Sequence, residues 1–274
     1  MTSQTARASA PQLPILLRET FGSIAVLTLN RPAARNSLSG GLIAELDAAL
    51  REVGDDTKVR AVVISANGPA FSAGHDMKEL TARRTDADRG RAYFAQIMNA
   101  CSAMMQAIVH LPKPVVAAVQ GVATAAGCQL VASCDLAVAS EAASFATPGV
   151  DIGLFCSTPM VALSRNVPRK HAMEMLLTGE PISAATARDI GLVNRVVASG
   201  TERDAAIALA QKVALKSAYT IKLGKEAFYR QAEMSLAGAY RYAAEVMAEN
   251  MMARDAEEGI GAFIEKREPK WQDK

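Results

Sequence analysis

The chain has 274 residues and half of them are apolar, enough for one large domain with a sizeable core, or one domain plus an extension. Thirty Lys and Arg against 28 Asp and Glu leave a formal charge of +2, which argues against nucleic acid as the main ligand. No apolar run reaches membrane-spanning length. Cys101, Cys128, Cys134 and Cys156 form no CxxC pair and show no metal-ligand spacing, so they read as buried free thiols in a reducing compartment. His75, His110 and His171 lie too far apart for a zinc motif, and no metal is expected.

Residues 1–12 are rich in Ser, Thr and Ala with a single Arg7, and read as a disordered, solvated tail. They hold no apolar stretch for secretion, so a cytoplasmic location is expected, with an organelle matrix as the alternative. Residues 24–29 are β-rich and stop at Asn30-Arg31-Pro32. Leu42, Ile43, Leu46, Ala49, Leu50 and Val53 recur at helical spacing, and Gly54-Asp55-Asp56 ends that helix. Residues 59–65 form a β-branched run, a buried strand. A loop through Phe71-Ser72-Ala73-Gly74 leads to a long amphipathic helix over 91–110, stopped by Leu111-Pro112. Residues 114–119 are the next strand, followed by a glycine-bounded turn over 121–127, a short helix and a strand at 136–139.

Strand and helix signals thus alternate through residues 13–200, which predicts an α/β core with mostly parallel pairing. From 201 to 274 the signals are helical, with Met247, Met251, Met252 and Phe263 set among charges. That pattern would expose much apolar surface on a monomer, so the segment is read as an oligomerisation region.

Two turns are candidates for chemistry. One is Phe71-Ser72-Ala73-Gly74-His75-Asp76-Met77-Lys78-Glu79-Leu80, directly after a buried strand. The other is Gly121-Val122-Ala123-Thr124-Ala125-Ala126-Gly127-Cys128-Gln129-Leu130, which opens a helix. Small residues let backbone approach a ligand, and a helix N-terminus presents unpaired N–H groups. Two such groups aimed at one carbonyl oxygen make an oxyanion hole. Taken singly, each turn is equally well explained by packing.

Together the two turns resemble the FxAGxDxKE and NGxxxGGGxxLxxxCD segments of the enoyl-CoA hydratase/isomerase (crotonase) family, the second ending here in Cys134-Asp135. Leu29-Asn30-Arg31-Pro32 with Asn36, Leu177-Thr178-Gly179-Glu180 and Glu258-Gly259 through Arg267 extend the likeness from about Ile15 to Arg267. Ala125-Ala126-Gly127-Cys128-Gln129 and Gly153-Leu154-Phe155-Cys156-Ser157-Thr158-Pro159 point to one branch of the family. The resemblance implies a spiral of ββα units with a C-terminal helical trimerisation region, and a homotrimer or dimer of trimers. It implies a coenzyme A thioester as substrate or ligand, with no tightly bound cofactor, no nucleic acid and no membrane as partners. It maps the oxyanion-hole N–H groups onto His75 and Ala126. It places coenzyme A against the backbone near Ala34 and the run His75, Asp76, Met77, Lys78, with Phe263 and Lys266 of a neighbouring subunit at the adenine end.

The departures carry as much information. Gln129 and Gly149 stand where the family's hydratases have two glutamates. Gln129 can hydrogen-bond a water but cannot take and return its proton, and Gly149 offers no side chain. Restoring both glutamates is expected to raise hydration, unless Gly149 needs a positive φ. His75, Asp151 and Ser157 are candidate substitutes. His75 is otherwise a packing imidazole, Asp151 a cap or ion-pair residue on an extended segment, and Ser157 or Thr158 a cap for the helix through Val161 and Leu163. Three readings remain: an acyl-CoA enzyme that stabilises an enolate, with lyase, hydratase or isomerase chemistry and relocated acid/base groups; a non-catalytic acyl-CoA binder or regulatory subunit of mixed hexamers; and the nucleic-acid-binding side function known for one branch of the family, against which the charge balance argues.

Overall fold

The computed structural model describes residues 13–274, so the expected tail at 1–12 lies outside the described residues. β1 (Leu16–Phe21) and β2 (Ile24–Leu29) form an antiparallel hairpin, and α1 (Gly40–Asp55) follows. Next come β3 (Ala61–Ala66), β4 (Ala70–Ser72), α2 (Met77–Ala82) and α3 (Arg91–His110). Then β5 (Val115–Val119), β6 (Val122–Thr124) and α4 (Ala126–Ser133) repeat the pattern. A third repeat is β7 (Leu136–Ser140), β8 (Ser144–Ala146), α5 (Ser157–Asn166) and α6 (Arg169–Thr178). β9 (Ile182–Ser183), α7 (Ala184–Asp189) and β10 (Arg195–Val197) close the core. The tail is α8 (Glu202–Ala214), α9 (Ala218–Gln231), α10 (Leu236–Met251) and α11 (Arg254–Glu265).

Each repeat gives its first strand to one sheet and its second to another. The larger sheet runs β1-β2-β3-β5-β7-β10, parallel except for the β1 edge. The smaller runs β4-β6-β8-β9, with only β9 antiparallel. The chain therefore spirals, and the loops joining β4 to α2 and β6 to α4 emerge side by side.

The near-continuous apolar runs of β2, β3 and β5 follow from burial on both faces. Ala25, Leu27, Leu29, Val62, Ile64, Val115 and Ala117 face the main core. Their alternating neighbours Ile24, Val26, Ala61, Val63, Val116 and Ala118 face a second cluster completed by Ala206, Ile207, Leu209 and Ala210 of α8. So α8 covers the back of the large sheet as part of the core, although the sequence groups it with the tail. α9 and α10 bury no side chain fully. Phe228, Leu236, Tyr240, Met247, Met252, Phe263 and Ile264 stay exposed on α9–α11 or beside them.

One buried polar joint fastens α9 to the core. Lys225 Nζ donates to Asp135 Oδ2 at 2.6 Å and to the carbonyls of Ile108 and Lys113. Tyr229 donates to Asp135 Oδ1 at 2.9 Å, and the Val115 N–H donates to Oδ2. Burial lowers the pKa of Lys225 against the pull of Asp135, and raises that of Tyr229.

Candidate functional site

The 72–76 loop is built by contacts that sequence reading found only in part. Asn36 is fully buried; its Oδ1 accepts the Arg31 N–H and its Nδ2 donates to the carbonyls of Asn67 and Ala70. Ser72 Oγ donates to the Asn36 carbonyl and the Ala73 N–H to that of Arg35. Asp76 takes the Arg31 guanidinium at 2.9 Å and the Ser37 hydroxyl at 3.2 Å, and caps α2 by accepting from the Lys78 and Glu79 N–H groups. Burial works against its charge, but Arg31 and the cap bonds prevail and hold the carboxyl below its ordinary pKa. The Asp76-x-x-Glu79 spacing could have announced the cap. Arg31 and Ser37 lie too far upstream for any local signal.

The loop meets α4 through two glycines. Gly74 has φ +82°, and a Cβ there would lie 3.0 Å from the Ala125 Cβ and 3.3 Å from the Ala126 nitrogen. A Cβ on Gly127 would lie 2.2 Å from the Ser72 carbonyl oxygen. These approaches bring the backbone of His75 beside that of Ala126. A parallel bridge to Leu38 uses the Gly74 carbonyl at 2.7 Å and the Asp76 N–H at 3.3 Å, and so steps over the His75 N–H. Ala126 is the first residue of α4, whose opening N–H groups have no partner in the helix. Among the described residues neither the His75 N–H nor the Ala126 N–H donates to a backbone acceptor. Ala125, at the N-cap, is held at φ 50°, ψ −117°, a strained setting for a residue with a Cβ.

Two polar side chains on these turns lack hydrogen-bond partners. His75 Nδ1 and Nε2 are buried without a partner, and so is Oε1 of Gln129, a residue only 5% exposed. Burial pushes the His75 imidazole down from its ordinary pKa, with the Leu38 backbone and the Glu79 charge pulling the other way. Glu79 itself accepts from the Gly40 N–H at 3.0 Å and from the Tyr93 hydroxyl.

The other candidates divide. Gly149 is buried, and its φ is not positive. The obstacle there is space: a Cβ would lie 2.6 Å from the Leu154 carbonyl oxygen and 2.9 Å from Cys156 Sγ. Asp151 does not share its side, because Pro148–Ile152 is a 3-10 turn rather than an extended segment. It is exposed and, among the described residues, neither ion-paired nor capping. Ser157 caps nothing either: it is the first residue of α5, with Cys156 at the N-cap, and its exposed hydroxyl donates to the Phe155 carbonyl. Ala34 is half-buried in a 3-10 turn, its N–H already given to Arg31. Met77, Lys78 and Phe263 are exposed, and Lys266 ends α11 in a left-handed conformation. The four cysteines are free and buried, with Cys101 and Cys128 pushed up to about 12 by burial. Two surface hollows of about 380 and 370 Å3, beside the C-terminal ends of α1 and α3, contain none of these site residues.

Comparison with known proteins gives one consistent result. The family described as enoyl-CoA hydratase/isomerase matches residues 19–274. The human mitochondrial enoyl-CoA hydratase domain-containing protein 3 is 46% identical over 265 residues, covering 97% of this chain and 85% of that protein. A probable enoyl-CoA hydratase of Rhizobium meliloti is 35% identical, covering 94% of this chain and 97% of that one. A crystal structure of an enoyl-CoA hydratase from Mycobacterium smegmatis superimposes with a TM-score of 0.89 at 50% identity, covering 94% and 99% of the two chains. The crystal structure of the human domain-containing protein 3 gives 0.89 at 46%, covering 94% and 100%. The ββα spiral is therefore the crotonase fold that the sequence resemblance implied.

Proposed function

Because the chain belongs to the enoyl-CoA hydratase/isomerase family, we propose that it binds an acyl-CoA and polarises the thioester carbonyl between the His75 and Ala126 N–H groups. The observation that carries this reading is the pair of unengaged donors on adjacent turns, forced together by close packing at Gly74 and Gly127. Charge that develops on the thioester oxygen in an enolate-like transition state would find both donors already oriented. Each such donor contributes on the order of 3 kcal/mol.

Ordinary hydration is not the reaction. Gln129 cannot relay a proton, and the space for a side chain at 149 is filled by Leu154 and Cys156. The activity belongs instead to lyase or isomerase chemistry in which proton transfer does not depend on two carboxylates at those positions. Gln129 is three residues past the Ala126 donor on the same helix, and Ser157 is an exposed residue at the start of α5. The vacant carboxylate positions also favour the second reading, an acyl-CoA-binding or regulatory subunit without turnover.

Coenzyme A would run along Ala34, His75, Asp76, Met77 and Lys78. Asp76 contributes by holding the loop, since Arg31, Ser37 and the α2 N-terminus occupy its carboxylate. Phe263 and Lys266 of a neighbouring subunit would meet the adenine end, in a trimer or dimer of trimers that covers the apolar faces of α9–α11. The Xenopus laevis and human relatives are described as mitochondrial, which favours an organelle matrix or its bacterial equivalent, the cytoplasm. The test is a thermal-shift titration with coenzyme A esters. A saturable rise is expected; no shift at millimolar concentration overturns the reading.

A further inference from the structure

The helix that would carry the adenine-end contacts has little apolar packing of its own to hold it. Among the described residues α11 buries only Asp255 and Ala262. Its larger apolar side chains, Ile260, Phe263 and Ile264, stay exposed. One buried methyl group is a weak anchor for a helix of 12 residues. The segment that follows α11 supplies the hold. At Lys266 the chain turns through a left-handed residue, φ 56°, and residues 267–273 run back along the helix. Arg267 donates to both Glu258 oxygens, at 2.6 and 2.9 Å, and the Lys270 N–H donates to Glu258 Oε1 at 2.7 Å. The Trp271 ring lies against Gly259, where an added Cβ would come within 3.1 Å of it. Asp255, only 2% exposed, accepts the Gln272 N–H at 2.6 Å and the Asp273 N–H at 2.8 Å.

The same segment is tied to the core on its other side. Trp271 Nε1 donates at 2.8 Å to the carbonyl of Leu215, which ends α8. The Asp273 carboxylate takes the Arg60 guanidinium on both oxygens, at 2.7 and 3.0 Å, and accepts the Ala218 N–H that opens α9 at 2.7 Å. Arg60 sits just before β3 and also donates to the Lys216 carbonyl. A forked guanidinium pair with a carboxylate at a helix N-terminus is a strong joint. Burial works against the charge of Asp273, but Arg60 and the Ala218 N–H hold its carboxyl below the ordinary pKa. Residues 267–273 thus bridge α11 to the ends of α8 and α9 and to the approach to β3.

We infer that residues 267–273 are a strap that sets the position of α11, and that Trp271 and Asp273 are positioning residues for the nucleotide end of coenzyme A, acting through Phe263 and Lys266. The inference rests on the adenine-end reading above and goes beyond it, because it gives a role to two residues that have no contact with the ligand. Lys266 is the residue at which helix and strap meet, so a shift of the strap moves its side chain directly. Phe263 lies one turn back on the helix that the strap holds. Because α11 would serve a neighbouring subunit, the strap of one protomer tunes the site of the next.

The test measures two ligands and one ligand-free property on the intact oligomer. Asp273→Ala removes the joint to Arg60 and α9, and Trp271→Leu removes the ring and its hydrogen bond. By calorimetry, butyryl-CoA is expected to bind each variant about tenfold more weakly than the wild type. Butyryl-pantetheine, which lacks the nucleotide, should bind all three proteins equally. A merely structural role would lower both affinities together or leave both unchanged. Asp273→Asn, whose amide oxygen can still accept from Arg60 and Ala218, should recover most of the lost affinity. Without ligand, amide hydrogen exchange over 254–266 should quicken about tenfold in Asp273→Ala and Trp271→Leu, while 91–110 of α3 keeps its wild-type rate. Unchanged exchange in α11 overturns the strap. Equal losses for the two thioesters, no loss for either, or a wild type that binds both with one affinity overturns its link to the nucleotide end. Failure of both thioesters to bind the wild type overturns the acyl-CoA reading and that link with it, and the exchange rates still decide whether the strap holds α11.

Discussion

A glutamate at position 149 would be the obvious route back to an ordinary hydratase, and the structure predicts that it fails for a steric reason. The first atom of any side chain there would lie 2.6 Å from the Leu154 carbonyl oxygen, about 0.8 Å inside the 3.4 Å at which ordinary contact begins. The Leu154 N–H also returns to the Gly149 carbonyl at 2.8 Å, so the two segments cannot part without losing that bond. Overpacking of this kind costs about 1–3 kcal/mol. For a chain of this size that is a fall of roughly 2–12 °C in Tm for Gly149→Ala alone. Cys156→Ala should not rescue it, because the closest obstacle is backbone. Hydration of crotonyl-CoA, followed by loss of the conjugated thioester absorbance, gives the functional side. The wild type lacks both acid–base groups, each typically worth about a hundred- to ten-thousand-fold. Gln129→Glu should recover little, since the two carboxylates act as a unit. Adding Gly149→Glu should recover no more, because residues 154–156 must move. Gly149→Ala with an unchanged Tm, or a double variant hydrating at an ordinary hydratase rate, would refute this reasoning.

Four further outcomes are expected. Ala125→Gly should stabilise the protein by about 1 kcal/mol, because relief of a strained φ of 50° outweighs glycine's added unfolded-state entropy; a lower melting temperature would show that the Ala125 Cβ packs better than it strains. Folded His75 binds its proton less readily than the unfolded chain, so its contribution to stability is present above pH 6.5 and fades as pH falls below that value; melting curves between pH 7 and 5 should be flatter for His75→Gln than for the wild type. Lys266→Glu should weaken coenzyme A esters more than a truncated pantetheine thioester, and equal losses would move that contact elsewhere. Sedimentation at micromolar concentration should show a trimer-based oligomer, and a stable monomer would leave Met247, Met252 and Phe263 without a cover.

The sequence was legible where pattern and burial coincide. β2, β3 and β5 have apolar residues on both faces, and α3 spans the very residues its periodicity predicted, 91–110. β1 was missed because its Arg18-Glu19-Thr20 run is an exposed sheet edge, and β4, β6 and β8 because three residues are too few to show a period. The placing of α8 was equally hidden. Its Ala-rich stripe looks like any helix, and only the sheet beneath it shows that it is core. At the site, the small-residue turns marked both donors, but the supports of the loop come from Arg31, Asn36 and Ser37, far from it in sequence. The reason Gly149 lacks a side chain is hidden for a related cause: close approach of Leu154 and Cys156 leaves no local trace, whereas a positive φ is the habitual explanation for a glycine.

The central claim is that two backbone donors polarise a thioester carbonyl, and the carbonyl itself can report it. With an acyl-CoA labelled with carbon-13 at the carbonyl, the bound resonance should move downfield of the free ligand in the wild type. Gly127→Ala, whose Cβ would press 2.2 Å from the Ser72 carbonyl and spread the two turns, should return it toward the free value. A bound ester whose carbonyl resonance matches that of the free ligand would contradict the account.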